Sequence, residues 1–330
     1  MIFRTEITPQ PSPFRIRYNT GMLLIGSCFT DNVGRKLEER AFPVQINPFG
    51  VVYNPGSVTR ALDIILEKKE YSGSDLFSFN DLWHSWDHHS SFSFTDREEA
   101  ILKINNEIRG SHGFLKKANY LVISFGTAWV YRLKENGNLV CNCHKVPSNQ
   151  FHREFMEPEN IVADFMKIWE RMKTFNPGIR VIFTVSPVRH WKDGAHGNQL
   201  SKSSLHLAIR QLMELEKKDF DYFPGYELLL DDLRDYRFFA DDLLHPNQQA
   251  IEYIWEKFTS TYFDPPTLSL SKEVEKITRA AGHKLTNPDS QQSQDFVNQQ
   301  LKKIQELKKA NPGLNLSIPE KVFLSKLKKL

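Results

Sequence analysis

"LLIGSCFTDNVG", residues 23–34, is the stretch whose reading decides the fold. An aliphatic run stops at Gly26, Ser27 and Cys28 stand side by side, and helical spacing then begins with Val33, Leu37 and Ala41. A short, wholly apolar segment ending in Gly reads as a strand buried in a parallel sheet. Thr30 or Asp31 is available to cap the helix that follows.

Outward from this unit the same alternation repeats. "FPVQIN" is strand-like and runs into the Pro- and Gly-rich loop "PFGVVYNPGSV". Residues 57–67 return to helical periodicity through Val58, Leu62, Ile65 and Leu66. "NYLVISFG" (119–126) and the β-branched "IRVIFTVSP" (179–187) are further buried strands. "AWVYRLKENGNLVCNCH" reads as a hairpin turning at "ENGN". Helices are expected over 157–175, about 200–217, and after Pro246 at a favourable first helical position. Buried strands alternating with helices predict an α/β three-layer sandwich on a mostly parallel sheet. Such sheets take ligands at the carboxyl ends of their strands, where Ser27, Gly126 and Ser186 fall.

The composition excludes several classes. Among 330 residues, 43 are basic and 40 acidic, a net charge of +3 that gives no electrostatic case for nucleic acid. Three cysteines, Cys28, Cys141 and Cys143, make no disulfide framework and suit a reducing compartment. The amino-terminal stretch has no apolar signal core and no run is long enough to span a bilayer, so a cytoplasmic protein is expected. From about Asp264 the chain turns Lys-, Gln-, Ser- and Asn-rich. The expected division is a domain over 1–265 and a helical extension over 266–330, ending in the lysine-rich "KVFLSKLKKL".

Ser27 is the first candidate for chemistry. Between a strand end and a helix start it faces unpaired N–H groups that favour developing negative charge. A serine hydroxyl needs a base to take its proton, and the base needs an orienting carboxylate. "FFADDLLHPNQQA" (238–250) supplies both, because Asp242 and His245 stand three residues apart ahead of a helix. Asp242 then accepts the Nδ1 proton of His245 and leaves Nε2 for the serine. The plainer alternative is a helix-capping aspartate beside a surface histidine.

Five motifs occur in one order: Gly26-Ser27-Cys28-Phe29, Asn47-Pro48-Phe49-Gly50, "GTAWVY" (126–131), "SPVRH" (186–190) and Asp242-x-x-His245-Pro246-Asn247. Together they resemble the GSCFA family over roughly residues 2–262, and that family is similar to the SGNH, or GDSL-type, hydrolases and acyl-esterases. The resemblance implies a flavodoxin-like α/β/α fold, with Ser27 as nucleophile and His245 and Asp242 as base and orienter. Two positions depart from the SGNH pattern. Gly26 stands where an Asp usually precedes the nucleophile, and Gly126-Thr127-Ala128 stands where Gly-x-Asn supplies an oxyanion donor. Candidate replacements are the backbone N–H groups of Ser27, Cys28 and Gly50 and the Thr127 hydroxyl. Asn47 and Gly126 are counted with the same site.

Other residues carry rival readings. Cys28, near a helix N-terminus, is a second possible nucleophile, but strand-to-helix geometry is expected to turn it toward the core. His84, Asp87, His88 and His89 in "WHSWDHHSSFSF" (83–94) match no zinc spacing and are expected to line the pocket between aromatics. Arg189 can clamp an anionic substrate group or pair with Asp193. His190 is a rival base without a carboxylate at supporting spacing, and Asn142 and Lys145 reach toward the pocket. The expected protein is a hydrolase acting on an O-acyl ester of a carbohydrate or small metabolite, with no metal or other cofactor. The alternatives are an O-acyltransferase using the same triad, or a binding protein that keeps the pocket without efficient turnover.

Overall fold

Side chains along the central strands alternate strictly between two apolar layers. Leu23 and Ile25 face one way, and Met22 and Leu24 the other. The computed structural model describes residues 4–288 and 290–327. The first half of the chain forms β1 (Met22–Gly26), α1 (Cys28–Glu38), β2 (Val44–Ile46), α2 (Pro55–Glu67), β3 (Phe77–Phe79), β4 (Leu82–His84), α3 (Arg97–Leu115), β5 (Tyr120–Phe125), β6 (Trp129–Leu133), β7 (Leu139–Val140) and β8 (Phe151–Phe155). The second half forms α4 (Pro158–Phe175), β9 (Arg180–Val185), α5 (Gly194–Leu215), β10 (Phe220–Tyr222), α6 (Gly225–Glu227), α7 (Gln248–Tyr262), α8 (Pro265–Gly282), α9 (Gln291–Ala310) and α10 (Ser317–Lys326).

The main sheet runs β10-β9-β5-β1-β2, with every neighbour parallel. Counted along the chain, that is the 2-1-3-4-5 order of a flavodoxin-like doubly wound sheet, reversing between β1 and β5. Helices α2, α3, α4 and α5 cover one face through residues such as Leu62, Ile104, Phe165 and Leu205. Phe29, Val33 and Leu37 of α1 and Ile254, Trp255 and Phe258 of α7 cover the other. The expected three-layer sandwich is the fold, and the crevice of a doubly wound sheet lies at that reversal.

Several elements differ from their sequence reading. Helix α1 starts at Cys28, so its N-cap is Ser27 itself, whose Oγ accepts from Phe29 N–H; Thr30 is instead buried inside the first turn. Helix α7 starts at Gln248 with Asn247 as N-cap, which leaves Pro246 ahead of the cap and outside the helix. Helix α3 carries no clear sequence signal, because Gly110, Gly113 and the polar pair Asn105–Asn106 interrupt its apolar stripe. β6 and β7 form the expected hairpin, and β8 joins β6 on its other side.

Helices α8 to α10 build their own apolar cluster around Val274, Ile304, Leu316 and Phe323, against which Tyr18 and Ala41 also pack. Arg40, only 3% exposed, ties this cluster to the sandwich: its Nη2 lies 2.6 Å from Glu275 Oε1, and its guanidinium stands 4.8 Å from the Trp255 ring. The end of the lysine-rich tail, residues 328–330, lies outside the described residues. Among the described residues, no helix is long and apolar enough to cross a membrane.

Candidate active site

Gly26 decides how β1 gives way to α1. Its φ is +142°, and a Cβ there would stand 2.2 Å from the Ser124 carbonyl oxygen of the paired strand. Any side chain at this position would collide with β5. Asn47 braces the turn from the other side, its Oδ1 accepting from Gly26 N–H at 3.0 Å and from the Thr30 hydroxyl at 3.2 Å. Ser27 is thereby delivered at the carboxyl edge of the sheet, 2% exposed, with its Oγ 2.7 Å from Ser124 Oγ.

A cavity of about 500 Å³ opens over this edge. Ser27, Cys28, Thr127, Ser186, Arg189, His190 and His245 line it, so residues from four separate sequence motifs meet there. His245 belongs to a tightly tied loop. Asp242 Oδ2 lies 2.6 Å from His245 Nδ1, and Asp242 Oδ1 accepts the backbone N–H groups of Leu244 and His245, each at 2.9 Å. These donors hold the Asp242 carboxyl down at about 2, well below the usual carboxylate range. Leu243 takes a left-handed φ of +60°, and its carbonyl accepts from the Arg189 guanidinium. Ala240 N–H donates to the His245 carbonyl at 2.8 Å and closes the loop. With Nδ1–H engaged by a carboxylate, Nε2 is the basic nitrogen.

Most expected oxyanion donors are already committed. Ser27 N–H donates to Ser124 O at 3.1 Å and Gly50 N–H to Asn47 O at 2.7 Å, and neither Gly50 nor Asn47 lines the cavity. Gly126 and Thr127 N–H both donate to Tyr53 O, while the Thr127 hydroxyl bonds Ser201 Oγ and accepts from Trp129 N–H. Among the described residues, the Cys28 N–H donates to no carbonyl, since the first residue of a helix has none one turn back. Asn54, missed in the sequence, also lines the cavity. Its Oδ1 caps α2 by accepting from Ser57 N–H at 2.7 Å, and its Nδ2 makes no hydrogen bond within the described residues. The only sequence signal for it is an asparagine before Pro55, which reads as a cap.

Cys28 is half-buried on the cavity wall rather than turned into the core, and burial pushes its thiol up, away from thiolate. Residues 83–94 do not line the cavity. His88 stacks on Phe49 at 4.5 Å, His84 bonds Ser93 Oγ and Phe79 O, and Asp87 accepts from Tyr71 and Arg60. Asn142 reaches the cavity and Lys145 does not. Asp193 pairs with Arg153 instead of Arg189. Burial lowers His190 to about 4, so it is neutral near pH 7. Among the described residues, no group of His, Cys, Asp and Glu is arranged to hold a metal ion.

Beneath the cavity, Lys202 of α5 is 2% exposed, with Nζ 2.6 Å from Gly126 O and 2.7 Å from Ser186 O. It clamps the loops leaving β5 and β9, and burial without a carboxylate lowers it to about 7. On the far side of Cys28 and Val188, a second, apolar hollow of about 20 Å³ is lined by Phe29, Pro246, Ile254 and Trp255.

The profile of the GSCFA family matches residues 21–258, and that of the GSCFA domain protein, C-terminal domain, matches residues 274–329. Among solved structures, a carbohydrate esterase family 3 protein from Talaromyces cellulolyticus is similar at 10% identity and a TM-score of 0.33, over 77% of this chain and 99% of that one. An acetyl xylan esterase from the rumen bacterium Butyrivibrio proteoclasticus is similar at 9% identity and a TM-score of 0.38, over 83% of this chain and 66% of that one. No curated protein matches the chain.

Proposed function

The chain belongs to the GSCFA family, and from that premise we propose that it is a serine esterase acting on an O-acyl ester of a carbohydrate or small metabolite. The observation that carries this reading is that Ser27 and His245, 218 positions apart by their numbers, line one cavity while Asp242 engages His245 Nδ1. Ser27 Oγ attacks the acyl carbonyl and His245 Nε2 takes its proton. In the reactive orientation the Ser124 hydroxyl donates to Ser27 Oγ, which frees the Ser27 proton for the histidine. Cys28 N–H and Asn54 Nδ2 hold the oxyanion at the start of α1, where the helix end favours negative charge. His245 then returns the proton to the leaving alcohol, and water attacks the acyl-enzyme by the same route.

Tyr53, Trp129, Tyr131 and Trp191 line the cavity beside Asn142, a mixture suited to a sugar ring. The apolar hollow is little larger than the roughly 10–15 Å³ that one water needs, which favours a short acyl group. The same reading treats 1–265 as the catalytic domain and 266–330 as an extension docked on it, since no described residue beyond His245 lines the cavity.

Fluorophosphonate labelling tests the reading. The full chain should gain one adduct at Ser27, lost in Ser27→Ala. A second reading, ligand binding without turnover, is favoured by Ser27 Oγ bonding Ser124 rather than His245; a folded protein that takes no label would establish it in place of the esterase. An adduct on Ser27 with acyl transfer to an added alcohol outrunning hydrolysis marks the acyltransferase variant.

A further inference from the structure

The cavity wall carries three cations, Arg153, Arg189 and Lys192, and one carboxylate, Asp193. Arg153 takes that carboxylate for itself while lying 4.1 Å from the Trp129 ring. Among the described residues, Arg189 and Lys192 are left without an anion. Arg189 is caged among Trp191, Phe239 and Tyr236, with its guanidinium carbon 5.1, 5.2 and 5.6 Å from their ring centres. It gives one N–H to the Leu243 carbonyl, and its Nε is buried with no hydrogen-bond partner among the described residues. Among the described residues, the exposed Lys192 Nζ donates only to the Tyr131 hydroxyl, at 3.0 Å. Both come from the segment that follows β9, so they flank the same mouth as His190.

Two unneutralised cations in a half-enclosed cavity focus positive potential where the substrate enters. A neutral sugar ester gains little from that field, whereas an oxyanion gains charge-assisted hydrogen bonds. We infer that the ester's alcohol part carries an anionic group, a carboxylate or a phosphate, which Lys192 and Arg189 receive while the aromatic wall holds the ring. This inference rests on the cavity being the substrate site. It also gives Arg189 two tasks, since the guanidinium that meets the anion holds the loop bearing His245.

Calorimetric binding to the full-length protein tests the inference without requiring turnover. The probes are glucuronate, glucose 6-phosphate and glucose. At least one anionic sugar should bind about tenfold or more tighter than glucose, as one added charge-assisted hydrogen bond predicts, and added salt should weaken it. Comparing the two anionic sugars distinguishes carboxylate from phosphate. Lys192→Glu, a change at an exposed side chain, should cancel the preference. Anionic sugars that bind no better than glucose, including no binding by any of the three, overturn the inference, as does a preference that survives Lys192→Glu. If Ser27 takes the fluorophosphonate label while the anionic preference is missing, the esterase reading stands and this inference alone falls.

Discussion

Asp242 grips His245 through both carboxylate oxygens, Oδ2 at 2.6 Å from the ring Nδ1 and Oδ1 at 2.9 Å from the backbone N–H. The first contact selects the ring tautomer, and the second fixes the loop that aims it. Because its carboxyl is lowered to about 2, Asp242 is ionised near neutral pH. Asp242→Asn keeps the shape and removes the charge that favours Nδ1–H. Ester turnover is expected to fall by about 10³–10⁴-fold with little change in KM. Steady-state kinetics on an acetyl ester, beside a thermal melt showing an intact fold, check this.

Asn54 is predicted to be the oxyanion donor that the sequence lacks at Ala128. Asn54→Ser keeps an oxygen able to cap α2 and removes the Nδ2 donor. The expected result is a loss of about 10²–10³-fold in kcat at nearly unchanged melting temperature. A kcat within a few-fold of wild type would assign the role elsewhere.

The contrast between these two residues shows what the sequence could convey. The Asp242-x-x-His245 pair is local, so its spacing is visible in one dimension, and Ser27 is marked by the break from aliphatic strand to helix. The β-branched run of β9 and the alternation of strands with helices disclose the sandwich for the same reason. Asn54 becomes a site residue only because Tyr53 O accepts from Gly126 and Thr127 N–H, a contact between distant segments. Lys202 sits among serines in "LSKSSLH" and reads as a solvated helix face until α5 is laid under two strand ends. Gly50 misled in the opposite direction, because its N–H is already used inside its own turn and its Cα abuts His89. Motif reading finds residue types but not whether their donors are spent.

Lys202 should be visible in the pH dependence of stability. Its pKa falls from 10.5 unfolded to about 7 folded, so between those values the unfolded chain binds more protons at this site. Stability from this group therefore rises with pH across about 7 to 10 and is at its lowest below 7, at a slope approaching about 1.4 kcal/mol per pH unit. Lys202→Met removes the slope and the two hydrogen bonds together. Denaturant unfolding at stepped pH should show the wild type gaining on the variant as pH rises from 7 to 10, and a constant gap would contradict the assignment.

The docking of α8 on the sandwich depends on a charge that must stay paired. Arg40 is buried between Trp255 and Glu275, with one N–H to the Lys36 carbonyl at 2.8 Å. Glu275→Gln removes the nearer of two carboxylates facing it, the exposed Glu39 standing 3.8 Å from Nη1, while leaving the guanidinium buried, which is expected to cost about 3 kcal/mol. Replacing both partners by apolar residues, Arg40→Met with Glu275→Leu, removes the desolvated charge along with its partner, and is expected to cost less than Glu275→Gln alone. Urea unfolding of the two variants measures the order directly. If the double variant is the less stable, the expected order is overturned, and the contacts the guanidinium keeps with Trp255 and the Lys36 carbonyl outweigh the cost of its desolvation.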